Sequence, residues 1–178
     1  MISKKRSLII MKKGIILTLI IALAFLAIGC GANGSEQTTV PQSNQLEGSL
    51  EDILAAIYEK ADVESSFAEY IETGLQTVDI TADRSEFYFG TDVTFEEAIA
   101  SEPIMSPSAY LLSLVRVSEE ADIEAIMEDI RENVDPMRWI CVGVDPDNIV
   151  VDHIGNVIIL IMSDQEKDTL HQAFESLA

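Results

Sequence analysis

The chain has 178 residues, about one domain's worth. Its 11 Lys and Arg against 31 Asp and Glu give a net charge of −20, which excludes a nucleic-acid groove, because phosphates are bound with Lys and Arg. Two cysteines and two histidines exclude a disulfide-stapled scaffold and a four-cysteine zinc site, and they leave little for a histidine-based one.

Hydrophobic residues make up 48% of the chain, high for so acidic a protein, and the excess sits largely in the first thirty positions. Lys4, Lys5, Arg6, Lys12 and Lys13 precede an uncharged run from Gly14 to Gly29 that ends at Cys30. A basic segment, an apolar segment and a small residue follow in the order of a secretory signal peptide. Residues 15–28 form a stretch of only 14. A transmembrane helix needs about 20 apolar residues to cross a ~30 Å core, so this run is short for a permanent span. Met11-Lys12-Lys13 is itself a complete signal-peptide start, which leaves Met1 and Met11 both open as the first residue.

Leu26-Ala27-Ile28-Gly29-Cys30 resembles the lipobox of bacterial lipoproteins. That resemblance implies a diacylglyceryl group on the Cys30 thiol and cleavage just before it. Residues 1–29 are then a lipoprotein signal peptide, and Cys30 is the lipid attachment site. The competing reading is an uncleaved anchor with a cysteine at its outer end. One acyl chain binds only marginally at ~0.8 kcal/mol per buried CH₂, whereas two anchor stably. The expected partner is therefore the membrane, through the lipid, on its extracytoplasmic face.

Residues 30–48 hold this cysteine and a polar linker rich in Gly, Ser, Thr, Asn and Gln, with too little apolar content to fold. The 19 residues from 31 to 49 reach roughly 24 Å as a flexible coil. Without the signal peptide, six basic residues face 31 acidic ones, −25 over 149 residues. Such a domain is repelled by an anionic membrane, and the tether is about three screening lengths of ~8 Å. The spread of the acids reads as a solvated surface.

Residues 49–178 read as one α+β domain, a mainly antiparallel sheet packed with helices, large enough for its own core. Ser49 caps a helix to about Lys60 carrying Leu50, Ile53, Leu54 and Ile57 at helical spacing. A second helical piece spans 63–74 and ends at Gly74; a short helix over 81–90 ends at Gly90. Residues 95–102, stopped by Pro103, suggest an edge strand. A strand follows at 110–117. An amphipathic helix over 122–134 is stopped by Asp135-Pro136, and another strand is expected at 139–144. Asp145 to Asn148 is a turn by composition. Residues 149–154 and 157–162 flank Gly155-Asn156 as a hairpin, placing Ile154 opposite Val157 and Asp152 opposite Ile159. Ser163 and Glu166 form a capping box, so the last helix is expected to start at Ser163.

The last strand is apolar on both faces and needs cover on both. The helices at 122–134 and 163–177 are expected on one face, and the first helix on the other.

Candidate chemistry is sparse. Cys141, inside an expected strand, reads as a buried, unreactive thiol; a catalytic pair would need His153 or His171 beside it. Asp152 and His153 are neighbours on a strand and point to opposite faces. His171 reads as an exposed helix residue. Asp145, Asp147, Asn148 and Asp152 are a calcium candidate, weakened by Ile149 where a third ligand belongs; the alternative is an ordinary Asp-Pro turn. Glu96-Glu97 and Glu119-Glu120 are candidate acid–base carboxylates, but adjacent pairs diverge and read as surface. Phe87-Tyr88-Phe89 is an aromatic cluster able to stack a sugar or to pack under the domain. No phosphate loop, nucleophile elbow or zinc-protease motif is present.

Phe95-Glu-Glu-Ala-Ile-Ala-Ser-Glu-Pro-Ile-Met-Ser-Pro-Ser-Ala-Tyr110, Asp135-Pro-Met-Arg-Trp-Ile-Cys-Val-Gly-Val144 and Ile149-Val-Val-Asp-His-Ile-Gly155 carry a resemblance to an uncharacterised lipoprotein family of Gram-positive bacteria with a C-terminal domain of unknown function. The resemblance implies a lipoprotein with one α+β domain and names no activity, cofactor, metal or catalytic residue. The expected function is a non-catalytic binding or accessory module at the cell envelope, with an envelope protein as partner. The alternatives are a small envelope enzyme using carboxylates and a structural module that associates through a sheet face.

Overall fold

Ser49 opens the first helix through a two-way cap. Its Oγ accepts the Asp52 N–H at 3.2 Å, and Asp52 Oδ2 accepts the Ser49 N–H at 3.3 Å. The computed structural model describes residues 45–178. The signal-peptide, lipobox and most of the linker readings lie outside the described residues. Among the described residues, no helix is long and apolar enough to cross a membrane.

Helix α1 (Leu50–Lys60) buries Leu50, Ile53, Leu54 and Ile57, the stripe expected from their spacing. Helix α2 (Ser65–Thr73) follows and leads into strand β1 (Leu75–Asp79). Helix α3 (Ser85–Phe89) ends at Gly90, which sits at φ +74°. Strands β2 (Glu97–Pro103) and β3 (Leu111–Arg116) precede helix α4 (Ile123–Asn133), capped by Asp122 on the Ala125 N–H. Strands β4 (Ile149–Ile154) and β5 (Val157–Met162) form the hairpin, and helix α5 (Lys167–Glu175) closes the chain. All pairings are antiparallel and the strand order is β1-β2-β3-β5-β4.

The hairpin register is as expected, with Ile154 opposite Val157 and Asp152 opposite Ile159. Every residue of β5 is buried, and alternation splits them between two cores. Val157, Ile159 and Ile161 meet α1 and α5; Ile158, Leu160 and Met162 meet α3 and α4. The helices expected to share a face therefore lie on opposite ones. Each row of β5 needs a helix: α5 joins α1 over one row, which leaves α4 to cover the other.

Other expectations are corrected as well. Residues 95–102 do not form an edge strand. β1 pairs outside β2, and Pro103 merely ends the strand, where its missing N–H interrupts nothing. β1 itself was not expected: Leu75-Gln-Thr-Val-Asp79 has two large apolar residues and is half exposed, as an edge permits. The apolar stretch 139–144 is irregular loop, with no strand neighbour and Cys141 at φ +66°. Ser163 Oγ does accept the Glu166 N–H at 3.1 Å, but it caps a turn, and regular helix begins only at Lys167.

Ser113, in the middle of β3, is buried, and its Oγ has no hydrogen-bond partner among the described residues. An unpaired buried hydroxyl costs about 1–3 kcal/mol. Ser113→Ala is therefore expected to stabilise the domain by about 1 kcal/mol, read as a higher urea midpoint at unchanged m-value.

Candidate functional site

Five large apolar side chains are exposed among the described residues: Phe87, Ile104, Met105, Met137 and Ile140. They come from three segments: α3, the β2–β3 loop and the loop after α4. Met105 and Ile140 are the most exposed, at 78% and 76%.

The segments converge on a small cavity of about 140 Å³ whose walls include Phe87, Glu102, Met105, Arg138 and Trp139. A cavity of about 440 Å³ adjoins it, sharing Met105, Ser106 and Ser108 and extending to Tyr70, Ile104 and Pro107. The local order follows from α3. Its single turn buries Tyr88 and Phe89 and leaves Phe87 pointing out. Phe87 and Tyr88 pack edge to face at 5.1 Å. The Arg138 guanidinium lies 4.3 Å from the Phe87 ring centre and 4.7 Å from that of Tyr88, and Arg84 stacks beside it at 5.2 and 4.9 Å. Arg138 also donates to the Tyr88 carbonyl at 3.4 Å, and the Tyr88 hydroxyl donates to Glu102 Oε2 at 3.1 Å. Burial, then the Glu102 charge, push the Tyr88 hydroxyl up, so it stays protonated and keeps donating.

These residue types suit binding. Arginine and the aromatics are enriched among the contacts that dominate interfaces, and methionine adapts to irregular surfaces. The cluster holds no nucleophile with a base beside it. The aromatic triplet expected from sequence is split: Tyr88 and Phe89 pack inside, and Phe87 is presented to solvent.

Two acidic regions lie elsewhere. A cavity of about 410 Å³ is lined by Asp92, Glu96, Asp122 and Asp129 over a floor that includes Phe95 and Ile126. Glu97, next in sequence to Glu96, turns away to Arg116 at 3.7 Å and to the Leu50 N–H, so that pair diverges as expected. Glu119 accepts from the Gln45 amide. Glu166 is buried at the start of α5; desolvation, then the Glu64 charge, raise its pKa. A carboxyl with a raised folded pKa costs stability above that value and nothing below its unfolded value. Stability therefore falls as pH rises through this window. Glu166→Gln is expected to raise Tm at pH 7 and to change it less near pH 4, as measured by thermal melts across pH.

Cys141 is exposed, where a buried thiol was expected. In the calcium candidate, Asp145 Oδ1 accepts the Asp147 N–H, and Asp164 Oδ1 accepts from Asp145 N and Asn148 Nδ2. Those side chains close a turn, and Asp152 is not among them. Asp152 instead faces α5, where its Oδ2 lies 2.7 Å from His171 Nε2. His171 is thus half-buried and paired, where an exposed residue was expected. His153 points the other way, with Nε2 3.6 Å from Glu124 and Nδ1 3.0 Å from the Gly155 carbonyl.

No family model, curated protein or solved structure matches the chain.

Proposed function

We propose that this protein is a lipid-anchored extracytoplasmic lipoprotein whose domain is a non-catalytic binding module of the cell envelope. Its binding end is the one bearing Phe87, Met105 and Arg138. The anchor rests on the basic-apolar-lipobox order ending at Cys30 and on the resemblance to envelope lipoproteins. The observation that carries the binding role is that three of the five exposed large apolar side chains, Phe87, Ile104 and Met105, line two adjoining cavities, and the other two, Met137 and Ile140, lie within two residues of Arg138 in the third lining segment. Scattered single ones would mean nothing, but a cluster around a preformed cavity marks an interaction surface.

Charge selects the partner. Arg84 and Arg138 are two of only six basic residues between 45 and 178, and both sit at this patch. A protein surface offering aliphatic side chains with a carboxylate among them fits it. The sheet-face alternative finds no open apolar face, because both rows of β5 are covered within the chain.

The test places a photo-crosslinking residue at Met105, and a control at exposed Gln172 on α5, in the full chain in native envelopes. The expected result is one saturable adduct from position 105. Excess unlabelled wild-type protein competes it away, and Arg138→Glu protein does not. An adduct equally strong from position 172, or one that Arg138→Glu still competes, refutes the binding end. Cys30→Ser tests the anchor separately: it is expected to block processing and membrane retention, and normal cleavage with acyl-dependent retention refutes that part.

A further inference from the structure

Asp152 interrupts the inner row of β4, between Val150 and Ile154, beneath α5. His171 and Glu175 are four residues apart on that helix and so share a face. Asp152, His171 and Glu175 bring one ligand atom each within 4.8 Å of one another. The Asp152 carboxylate is already oriented, because its Oδ1 accepts the His153 N–H at 2.8 Å, leaving Oδ2 toward His171 Nε2. Glu175 is the last residue of α5, so its charge sits at the negative end of the helix dipole. A cation there would be held by both carboxylates, in addition to the His171 and His153 N–H bonds to Asp152 and the Lys60 ammonium that donates to the Ser176 carbonyl at 3.1 Å.

We propose that Asp152, His171 and Glu175 bind one zinc-class divalent cation. The imidazole nitrogen selects the class: calcium takes six to eight oxygens, whereas zinc is held by nitrogen and carboxylate oxygen in sets of three or four. Three protein ligands leave a position for water. The nitrogen and oxygen, now at hydrogen-bond distance, would need to open to about 3.3 Å to share a tetrahedral ion at ~2.0–2.2 Å. Half-exposed side chains reach that by small torsional adjustment. This inference is independent of the apolar patch, which lies on other segments.

The test titrates zinc chloride into the full chain in detergent by calorimetry, in a Cys30→Ser, Cys141→Ser background so that no thiolate competes. One zinc per chain is expected, with a rise in Tm. His171→Ala and Asp152→Asn are expected to weaken binding at least tenfold, and Glu175→Gln to weaken it measurably without lowering the zinc-free Tm. His153→Ala, which removes the histidine facing Glu124, is expected to bind as the parent does. A hundredfold excess of calcium should not displace the zinc. Absence of stoichiometric binding, binding that survives His171→Ala, or displacement by calcium overturns the proposal; the last two would mean that the acidic surface collects cations without a site.

Discussion

Removal of residues 49–74 from the chain is expected to abolish folding. Those residues supply α1 and α2, and α1 alone contributes Leu50, Ile53, Leu54 and Ile57, all buried against Ile159, Ile161, Leu170 and Phe174 in one core. Burying one such side chain is worth ~1.5–3 kcal/mol, so four amount to about 6–12 kcal/mol. That is comparable to the whole stability of a small domain, ~5–15 kcal/mol. The Leu46 and Gly48 carbonyls, which accept from the Arg116 guanidinium, stay in the truncated chain, but joining Gly48 to Leu75 ties them to the opposite end of β2, where Leu75 pairs with Pro103. The truncated protein should aggregate or bind a hydrophobic dye, with no cooperative melt. Ile57→Ala is the milder companion, expected to cost ~2–5 kcal/mol with the fold retained. If the truncated chain stays monomeric with a sharp melt, α1 is not core. The face it leaves would then rival the Phe87–Met105 end as a docking surface.

How much of this was legible depended on how local the determinant was. The hairpin β4–β5 was readable to the residue, because Gly155-Asn156 and the flanking apolar runs fix register through neighbours in sequence. The cap at Ser49 and the stop at Gly90 are equally local. β1 is not legible because an edge strand needs few apolar residues, and its partners on β2 lie 20 to 28 positions away in sequence. The strand expected at 139–144 failed for the opposite reason. Trp139, Ile140 and Val142 are apolar enough for a strand, but no ladder accepts them; Trp139 lines the small cavity instead, and Ile140 is exposed. Helix placement was lost because periodicity says which side of a helix is buried, not which face of a sheet it meets.

The sites were less legible still. The Phe87–Met105–Arg138 end assembles three segments that share no motif, and only the aromatic triplet Phe87-Tyr88-Phe89 points to it in the sequence. The Asp152–His171 contact had a signal that could have been read. The register already placed Asp152 in an inward row, and a histidine four residues before a glutamate on the following helix is a ligand spacing. Their pairing is tertiary, between β4 and the helix after β5. Burial resists ionisation of Asp152, yet the hydrogen bonds from His171 and from the His153 N–H prevail and hold its carboxyl below the usual range. A charged Asp152 beneath α5 is thus a stable feature of the fold.

Gly90→Ala is expected to be the most damaging single substitution outside the core side chains. Gly90 closes α3 at φ +74°, a conformation that costs an L-residue ~1–2 kcal/mol. That term alone would be tolerable. Gly48, at φ +93°, faces the same term, and a Cβ there would meet only the Asp52 side chain at 3.5 Å, an ordinary contact. At Gly90 the added carbon would run into the Asn133 carbonyl and the Val134 nitrogen, main-chain atoms at the end of α4 that cannot rotate away. Either α3 or the α4 terminus must shift, and both carry the core of Tyr88, Phe89, Ile130 and Val134. The expected cost is ~3–5 kcal/mol for Gly90→Ala against ~1 kcal/mol for Gly48→Ala, measured by urea unfolding. Equal losses at the two positions would mean that backbone strain alone governs Gly90. A loss at Gly90 that also removes the Met105 crosslink, at a temperature where the protein is still folded, would show that the α3–α4 contact sets the geometry of the binding end as well as its stability.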